Sequence, residues 1–155
     1  MDIPNFSADE RRRIACIGDS YRRVAGRALV EAEEDSVAAL WSAPLAIVAH
    51  GTEPDPIFFF GNRHALALFE MDFSAFTRLP SRLSAEPLQR EERARLLDRV
   101  AHDGIIDDYA GVRVSATGRR FRISNASVWT LTDASGAVVG QAAAFAEWTY
   151  VDVRE

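Results

Sequence analysis

The chain has 155 residues, 48% of them hydrophobic and 26% charged, which is typical of a single globular domain with a hydrophobic core. A formal net charge of −5 argues against a broad nucleic-acid surface. The sequence has no lysine, which excludes Schiff-base chemistry and a P-loop lysine. It has one cysteine, Cys16, which excludes an internal disulfide and a thiolate zinc cluster. No stretch reads as a membrane span or a signal peptide, so a cytoplasmic protein is expected.

The first predicted element is a helix that starts after Ser7 and runs to about Val30, with its apolar residues three and four positions apart. Ser7 and Glu10 have the spacing of a capping box, and Gly26 weakens the helix near its end. The apolar stripe either packs on the domain's own sheet or serves as the surface for a homodimer or a partner protein. The candidates for that surface are Ile14, Ile17, Tyr21 and Val24.

Short elements fill the middle of the chain. Asn62 and Asp72 are placed to cap the helices that follow them, and Pro44 and Pro80 interrupt helices. The predicted order is a helix, two strands and three helices: Ser36–Ser42, Leu45–Ala49, Pro56–Phe60, Arg63–Glu70, Phe73–Arg78 and Pro87–His102.

The last third is predicted to form three long antiparallel strands, Tyr109–Ser115, Arg120–Thr132 and Ala137–Tyr150. Gly118 and Gly136 lie in the two tight turns between them, where a left-handed backbone is available to glycine without a steric cost. The chain is therefore predicted to be an α+β protein. We divide it into an N-terminal helical extension, residues 1–35, and a main domain, residues 36–155.

This element order resembles that of a PAS domain, a five-stranded antiparallel sheet with short helices on one face. Several strings between Ser20 and Trp148 also resemble the PAS-like MEKHLA domain: SYRRVAGRAL, HGTEPDPIFFFGNRHALALFEM, FTRLPSRLSAEP, REERARLL, GVRVSATGRRFRI and GQAAAFAEW. That family occurs as stand-alone bacterial proteins and at the C-terminus of plant class III homeodomain-leucine zipper transcription factors. The homeodomain and zipper are not in this sequence, so DNA binding does not carry over, and the resemblance implies a sensory or regulatory module.

Strict alternation along Arg120–Thr132 predicts that its odd positions face the interior. That set includes Phe121 and Trp129, and it also places Asn125 and Ser127 in the interior, where a PAS fold has its ligand cavity. A bulge near Asn125 would instead change the register and return both polar residues to solvent.

On the last strand, Gln141 lies among alanines, which leave volume for a planar ligand whose polar edge the amide could address. The alternative is that the alanines admit a close-packed helix and that Gln141 lies at an edge or faces water. The predicted apolar lining comes from the second strand and the following helix, namely Phe58, Phe60 and Leu66.

Cofactor chemistry has two candidates. His102 falls near the position where haem-binding PAS domains have their proximal ligand, although a cation at a helix C-terminus also complements the helix dipole. Non-covalent flavin binding is compatible with the sequence. A photoactive flavin adduct is not, because the short-helix region LPSRLS has Ser81 and Ser84 but no cysteine.

We therefore expect a non-catalytic PAS-like module that binds a small molecule or a protein and signals to a separate partner, without binding a metal, nucleic acid or a membrane. The alternative is a small cone-shaped hydratase or isomerase that uses an Asp–His pair, with Asp107 or Asp108 beside His102. That alternative requires His102 and an acid to point into one pocket within hydrogen-bonding distance.

Overall fold

A computed structural model describes residues 2–31, 35–85 and 90–151. Its helices are α1 (Ala8–Ala25), α2 (Ser36–Ser42), α3 (Arg63–Phe69), α4 (Phe73–Phe76), a 3-10 helix (Ser81–Ser84) and α5 (Arg90–Asp103). Its strands are β1 (Ala46–His50), β2 (Phe58–Gly61), β3 (Ile105–Val114), β4 (Arg120–Thr132), β5 (Val138–Phe145) and β6 (Glu147–Tyr150). The predicted start of the long helix at Pro87 lies outside the described residues.

The strands form one antiparallel sheet in the order β2-β1-β5-β4-β3, and β6 also pairs with β4. This arrangement confirms the predicted PAS-like α+β fold. The last predicted strand is interrupted at Ala146, which divides it into β5 and β6, so the sheet has six strands where five were predicted. No helix in the described part of the chain is long and apolar enough to cross a membrane.

The helix ends follow the local sequence. The capping box at Ser7 and Glu10 is present, and α1 ends at Gly26, whose φ of 77° is left-handed. The side chains of Asn62 and Asp72 accept hydrogen bonds from the first turns of α3 and α4. The predicted caps are therefore confirmed, and α1 is shorter than the spacing of its apolar residues suggested.

Helices cover both faces of the sheet. On the face that we call inner, the ring of Phe121 lies 5.3 Å from that of Phe69 in α3. On the opposite, outer face, the indole of Trp129 lies 4.9 Å from the ring of Tyr21 in α1. The Trp129 Nε1–H also donates a hydrogen bond of 3.1 Å to the carbonyl of Ile17, so α1 is joined to the centre of the outer face.

The apolar stripe of α1 packs on the domain's own sheet. Ile14, Ile17 and Tyr21 are each at most 4% exposed and belong to the main hydrophobic core, while Val24 is 38% exposed. Three of the four residues that we predicted for a homodimer or partner surface are therefore buried and cannot form one. The packing explains why: the outer face needs an apolar cover, and this stripe supplies it.

Asn62 is a fully buried polar residue at the junction of α2, β1 and α3. Its Oδ1 accepts hydrogen bonds from the backbone N–H groups of Ile47 and Ala65, both at 3.0 Å. Its Nδ2 donates to the carbonyls of Leu40, at 3.0 Å, and Leu45, at 2.8 Å. One side chain thus satisfies four backbone groups that burial would otherwise leave without partners.

We predict that Asn62→Ala lowers the free energy of unfolding by roughly 3 kcal/mol, because it leaves buried backbone groups unpaired and removes the cap of α3. Asn62→Asp should cost at least as much, since it turns a carboxylate oxygen towards two carbonyls. Urea denaturation followed by circular dichroism measures both changes. Asn5→Ala, at an exposed asparagine, is the control. A cost below about 1 kcal/mol for Asn62→Ala would contradict this role.

Glu70 joins the end of α3 to the turn between β3 and β4. Its carboxylate accepts hydrogen bonds from the hydroxyls of Ser115, at 2.5 Å, and Thr117, at 2.6 Å. The Ser115 hydroxyl, and after it that of Thr117, holds the pKa of Glu70 below its ordinary value of 4.5. Folding therefore favours the ionised form of this side chain.

The lowered pKa predicts a pH-dependent contribution to stability that Glu70→Gln should remove. The contribution is fully present above the ordinary pKa of 4.5 and is lost as the pH falls through the lower pKa of the folded state. The difference between the urea midpoints of the parent and Glu70→Gln should therefore be larger at pH 7 than at pH 3. A difference that is independent of pH would contradict the assignment.

Candidate functional site

A cavity of about 540 Å³ lies on the inner face, between the sheet, the 3-10 helix and α5. Its size falls within the range of pockets that hold small organic ligands. Most of its wall is apolar, contributed chiefly by Val48, Phe58, Leu96, Leu97, Val128 and Ala143. A few polar side chains complete the lining: His50, Ser81, Arg82, Tyr109, Arg113 and Gln141.

The volume of the cavity depends on a small residue in the middle of its floor. Ala143 pairs with Val48 on one side and with Val128 on the other, so the three side chains share the inner face. Val128 also packs with Val100 and Ile106 in a small buried cluster that attaches α5 to the sheet. The space is open because α5 is held at this cluster while the side chain at position 143 ends at Cβ.

The register of β4 changes at Asn125, as in the bulge that was the alternative expectation. Asn125 has a left-handed φ of 53°, is exposed, and donates a hydrogen bond of 3.1 Å to the carboxylate of Glu147. Beyond it the faces are exchanged: Ser127 is half-buried on the outer face, and Trp129 lies there under α1. Strict alternation therefore does not hold, and these three residues do not line the cavity.

Phe60 is also on the outer side of the sheet. It pairs with Ala49 in the ladder, and its ring lies 6.5 Å from that of Phe6, which precedes α1. Because Phe60 is fully buried between these groups, it belongs to the core and not to the cavity.

Of the eight residues that we predicted for the site, Phe58 and Gln141 line the cavity. Phe121 faces the inner side but is fully buried against Phe69, and Leu66 is fully buried in the same core. The inner face therefore has a filled part beneath α3 and an open part beneath α5, and the sequence pattern does not distinguish the two.

Gln141 and His50 stand side by side at one end of the cavity floor. They are partners in the pairing of β5 with β1, and the His50 ring is oriented by a 2.9 Å contact between Nδ1 and the carbonyl of Gly51. Among the described residues, the Gln141 amide has no hydrogen bond. Both its donor and its acceptor are available to a ligand.

Arg113 and Tyr109 stand at the other end of the floor, on β3. Arg113 pairs with Phe121, and its guanidinium lies 5.8 Å from the centre of the Tyr109 ring. Its Nη1 donates a long hydrogen bond of 3.5 Å to the hydroxyl of Ser84 at the end of the 3-10 helix. Sequence reasoning missed both residues because β3 is irregular, with shifts of register between Ile106 and Gly111.

The residues named for an enzyme do not meet in the cavity. The side chain of His102 is 88% exposed at the end of α5 and contacts Asp103 at 2.7 Å, and this carboxylate raises the pKa of His102. Asp108 forms an exposed ion pair with Arg99 at 2.7 Å, and Asp107 is exposed. The Asp–His pair required by the hydratase or isomerase alternative is therefore not assembled, and His102 does not point into the cavity as a haem ligand would.

The single cysteine lies on the opposite side of the sheet from the cavity. Cys16 is on α1, and its Sγ–H donates to the carbonyl of Thr132 at 2.8 Å. A covalent adduct of its thiol with a ligand in the cavity is therefore excluded by the intervening sheet. No cluster of metal-binding side chains occurs among the side chains that the structure describes.

Comparisons with known structures place the fold in the PAS-like class. A PAS domain of a protein from Colwellia psychrerythraea superimposes with a TM-score of 0.60 and 13% identity, over 74% of this chain and 92% of that one. A light-oxygen-voltage domain studied with a flavin analogue gives 0.56 and 17%, over 77% and 87%. The blue-light photoreceptor Aureochrome1 light-oxygen-voltage domain, in its dark structure, gives 0.51 and 18%, over 83% and 90%.

Residues 11–150 match the MEKHLA domain, so the chain belongs to the MEKHLA family. No curated protein matches the sequence significantly. The low identities to the solved structures mean that those similarities describe the fold alone. The family match begins within α1, in agreement with the packing of that helix on the sheet.

Gly140 sets the close approach of β5 and β1 next to Gln141 and His50. A Cβ at position 140 would overlap the carbonyl oxygen of His50, which is backbone and cannot turn aside. We predict that Gly140→Ala lowers the free energy of unfolding by roughly 2 kcal/mol through forced separation of the strands. Gly18→Ala makes the same change where nothing lies within 4 Å of the new Cβ, in the middle of a helix.

The control should therefore have the opposite sign, a gain of about 0.5–1 kcal/mol, because alanine favours the helix. Thermal and urea denaturation of the two variants measures the pair. Equal effects at positions 18 and 140 would contradict the assigned close contact.

Proposed function

We propose that the protein is a sensory or regulatory module that binds a small organic molecule in the inner-face cavity and signals to a separate partner. The observation that carries the proposal is the cavity itself: about 540 Å³, mostly apolar, with a small number of polar side chains at its two ends. Membership of a PAS-like family and structural similarity to PAS and light-oxygen-voltage domains support a role in sensing.

The mouth of the cavity supports ligand exchange with solvent. Leu83 in the 3-10 helix and Leu97 in α5 line the cavity, yet they are 53% and 48% exposed. Apolar side chains at a rim are costly to leave in water, and a bound apolar molecule would cover part of them. Binding would also bridge the 3-10 helix and α5, which gives the ligand a direct effect on the position of α5.

The proposal includes a non-catalytic role in the cytoplasm. The polar lining residues are separated between the two ends of the floor: Gln141 and His50 at one, Arg113 and Tyr109 at the other. Such a distribution suits recognition of the two ends of a ligand better than it suits proton transfer at one reacting atom.

The proposal is tested by a substitution on the cavity floor that fills the open space. In Ala143→Phe a ring occupies the open space between Val48 and Val128, so we expect a variant that folds, with a melting temperature no lower than about 3 °C below the parent. Its matched control is Ala137→Phe, the same change at an exposed residue just before β5. Native mass spectrometry and absorbance of freshly purified samples compare the three proteins.

A bound mass in the parent and in Ala137→Phe, absent from Ala143→Phe, is the expected result. The same bound mass in all three proteins would contradict the cavity as its site. So would a ligand-free parent whose melting temperature is not raised by any member of a metabolite set.

A further inference from the structure

We propose that the cavity selects flat organic anions: Arg113 binds the anionic group, the apolar walls cover the body and Gln141 addresses a polar edge at the far end. The inference rests on the proposed function, since it requires that the cavity binds a ligand. It goes beyond that function by naming the chemical class.

The charge of the lining is the first argument. The sixteen residues that line the cavity in the described part of the chain include two arginines and neither aspartate nor glutamate. The whole chain has 23 acidic residues against 18 basic ones, so a lining without carboxylates is contrary to its composition. A lining whose charged side chains are arginines favours negatively charged molecules over positively charged ones.

The two arginines differ in whether their charge is already compensated. The Nε of Arg82 donates to both carboxylate oxygens of Asp55 at 3.1 Å. No carboxylate partner of Arg113 occurs among the side chains that the structure describes, which for α5 begin at residue 94, and its guanidinium contacts the Ser84 hydroxyl and the Tyr109 ring. A half-buried cation of this kind gains most from an anion that can accept two parallel hydrogen bonds, such as a carboxylate.

Arg113 is also held where a ligand can reach it. The backbone of Arg113 pairs on one side with Phe121 of β4 and on the other with Ala85, just after the 3-10 helix. The backbone is thus fixed between two elements, while the side chain projects on the inner face beside Tyr109. A prepositioned guanidinium loses little freedom when the ligand binds.

The shape of the cavity indicates that the ligand is flat. Its floor is the surface of a sheet with alanine in the centre, and Leu96 and Leu97 of α5 lie across it. A slot between a sheet and a helix accommodates a flat body better than a branched one. The Gln141 amide, which has no hydrogen bond within the part of the chain that the structure describes, then offers its NH2 group as donor and its oxygen as acceptor to the end of the molecule that is remote from its charge.

The test compares three naphthalenes that share the ring system and differ in the charge of a small substituent, by isothermal titration calorimetry: naphthalene-2-carboxylate, 2-naphthalenemethanol and 2-naphthylmethylammonium. The parent should bind the carboxylate most tightly and the ammonium ion most weakly. Arg113→Gln should weaken binding of the carboxylate at least about tenfold and that of the alcohol less than about twofold. Arg113→Lys should restore part of the loss, because it returns the charge without the planar fork.

Arg122→Gln is the matched control, because Arg122 is exposed and Arg122 with Val112 forms the next pair of the same ladder after Arg113 and Phe121. It makes the same change of net charge and should leave all three affinities within about twofold of the parent. Near-ultraviolet circular dichroism and the melting temperature establish that each variant is folded before its affinities are compared.

Two results would overturn the ligand class and leave the proposed function standing. In the first, the alcohol binds as tightly as the carboxylate; in the second, Arg113→Gln binds the carboxylate unchanged while Ala143→Phe does not bind it. Carboxylate binding that survives Ala143→Phe, or no binding of any probe to the parent, also overturns it. The native mass spectrometry of Ala143→Phe and its control Ala137→Phe then decides the proposed function separately.

Discussion

At Asn125 the backbone of β4 enters the left-handed region, and this single bend decides which side chains share a face of the sheet. Before it, Phe121 and Ile123 point to the inner face. After it, Val128 points there and Trp129 points to the outer face, where α1 covers it. The last strand is interrupted opposite this bend, with β6 pairing before it and β5 pairing after it. The cavity and the packing of α1 both depend on the exchange.

Asparagine is suited to this position because its short polar side chain tolerates a left-handed backbone better than most residues. Here the amide also reaches the carboxylate of Glu147 at the start of β6. The bend is thus connected to the interruption that it produces in the neighbouring strand. Bulges of this kind are common close to binding sites, where they redirect side chains.

Much of the fold could be predicted from the sequence, because its signals are local. The caps at Ser7, Asn62 and Asp72 and the two turns of the closing strands follow from short-range hydrogen bonding and glycine backbones. The pairing of β4 with its neighbours follows from the same turns. These features require only residues that are close together in the chain.

The site could be predicted only in part, because it depends on contacts between distant residues. Gln141 was placed by alternation within a stretch of β5 that keeps its register with β1. Phe58 and Phe60 were predicted together as apolar lining, but the register of β2 shifts between them, so only Phe58 faces the cavity. Phe121 was placed on the correct face, but α3 fills the space beside it. Arg113 carries no sequence signal at all: an arginine in an irregular strand looks like a solvated residue until α5 and the 3-10 helix are in position.

The two faces of the sheet differ in how completely the helices cover them. The outer face is closed by aromatic and aliphatic packing, with one indole N–H satisfied by a helix carbonyl. The inner face is packed beneath α3 and open beneath α5. In the open part, the Gln141 amide has no hydrogen-bond partner among the described residues. Because β5 contributes alternate residues to both faces, the side chains of Gln141 and Ala143 lie on the cavity side while Ala144 belongs to the core of the outer face.

The dependence of the outer face on α1 has a consequence for any shortened form of the protein. A fragment that lacks residues 1–26 would expose the outer face of the sheet, with Trp129, Leu131 and several alanines. All of these residues are at most 4% exposed in the intact chain. An exposed apolar surface of this kind favours self-association and aggregation. The helix that looks like an appendage in the sequence thus acts as a built-in solubilising segment, and fragments for study should retain it.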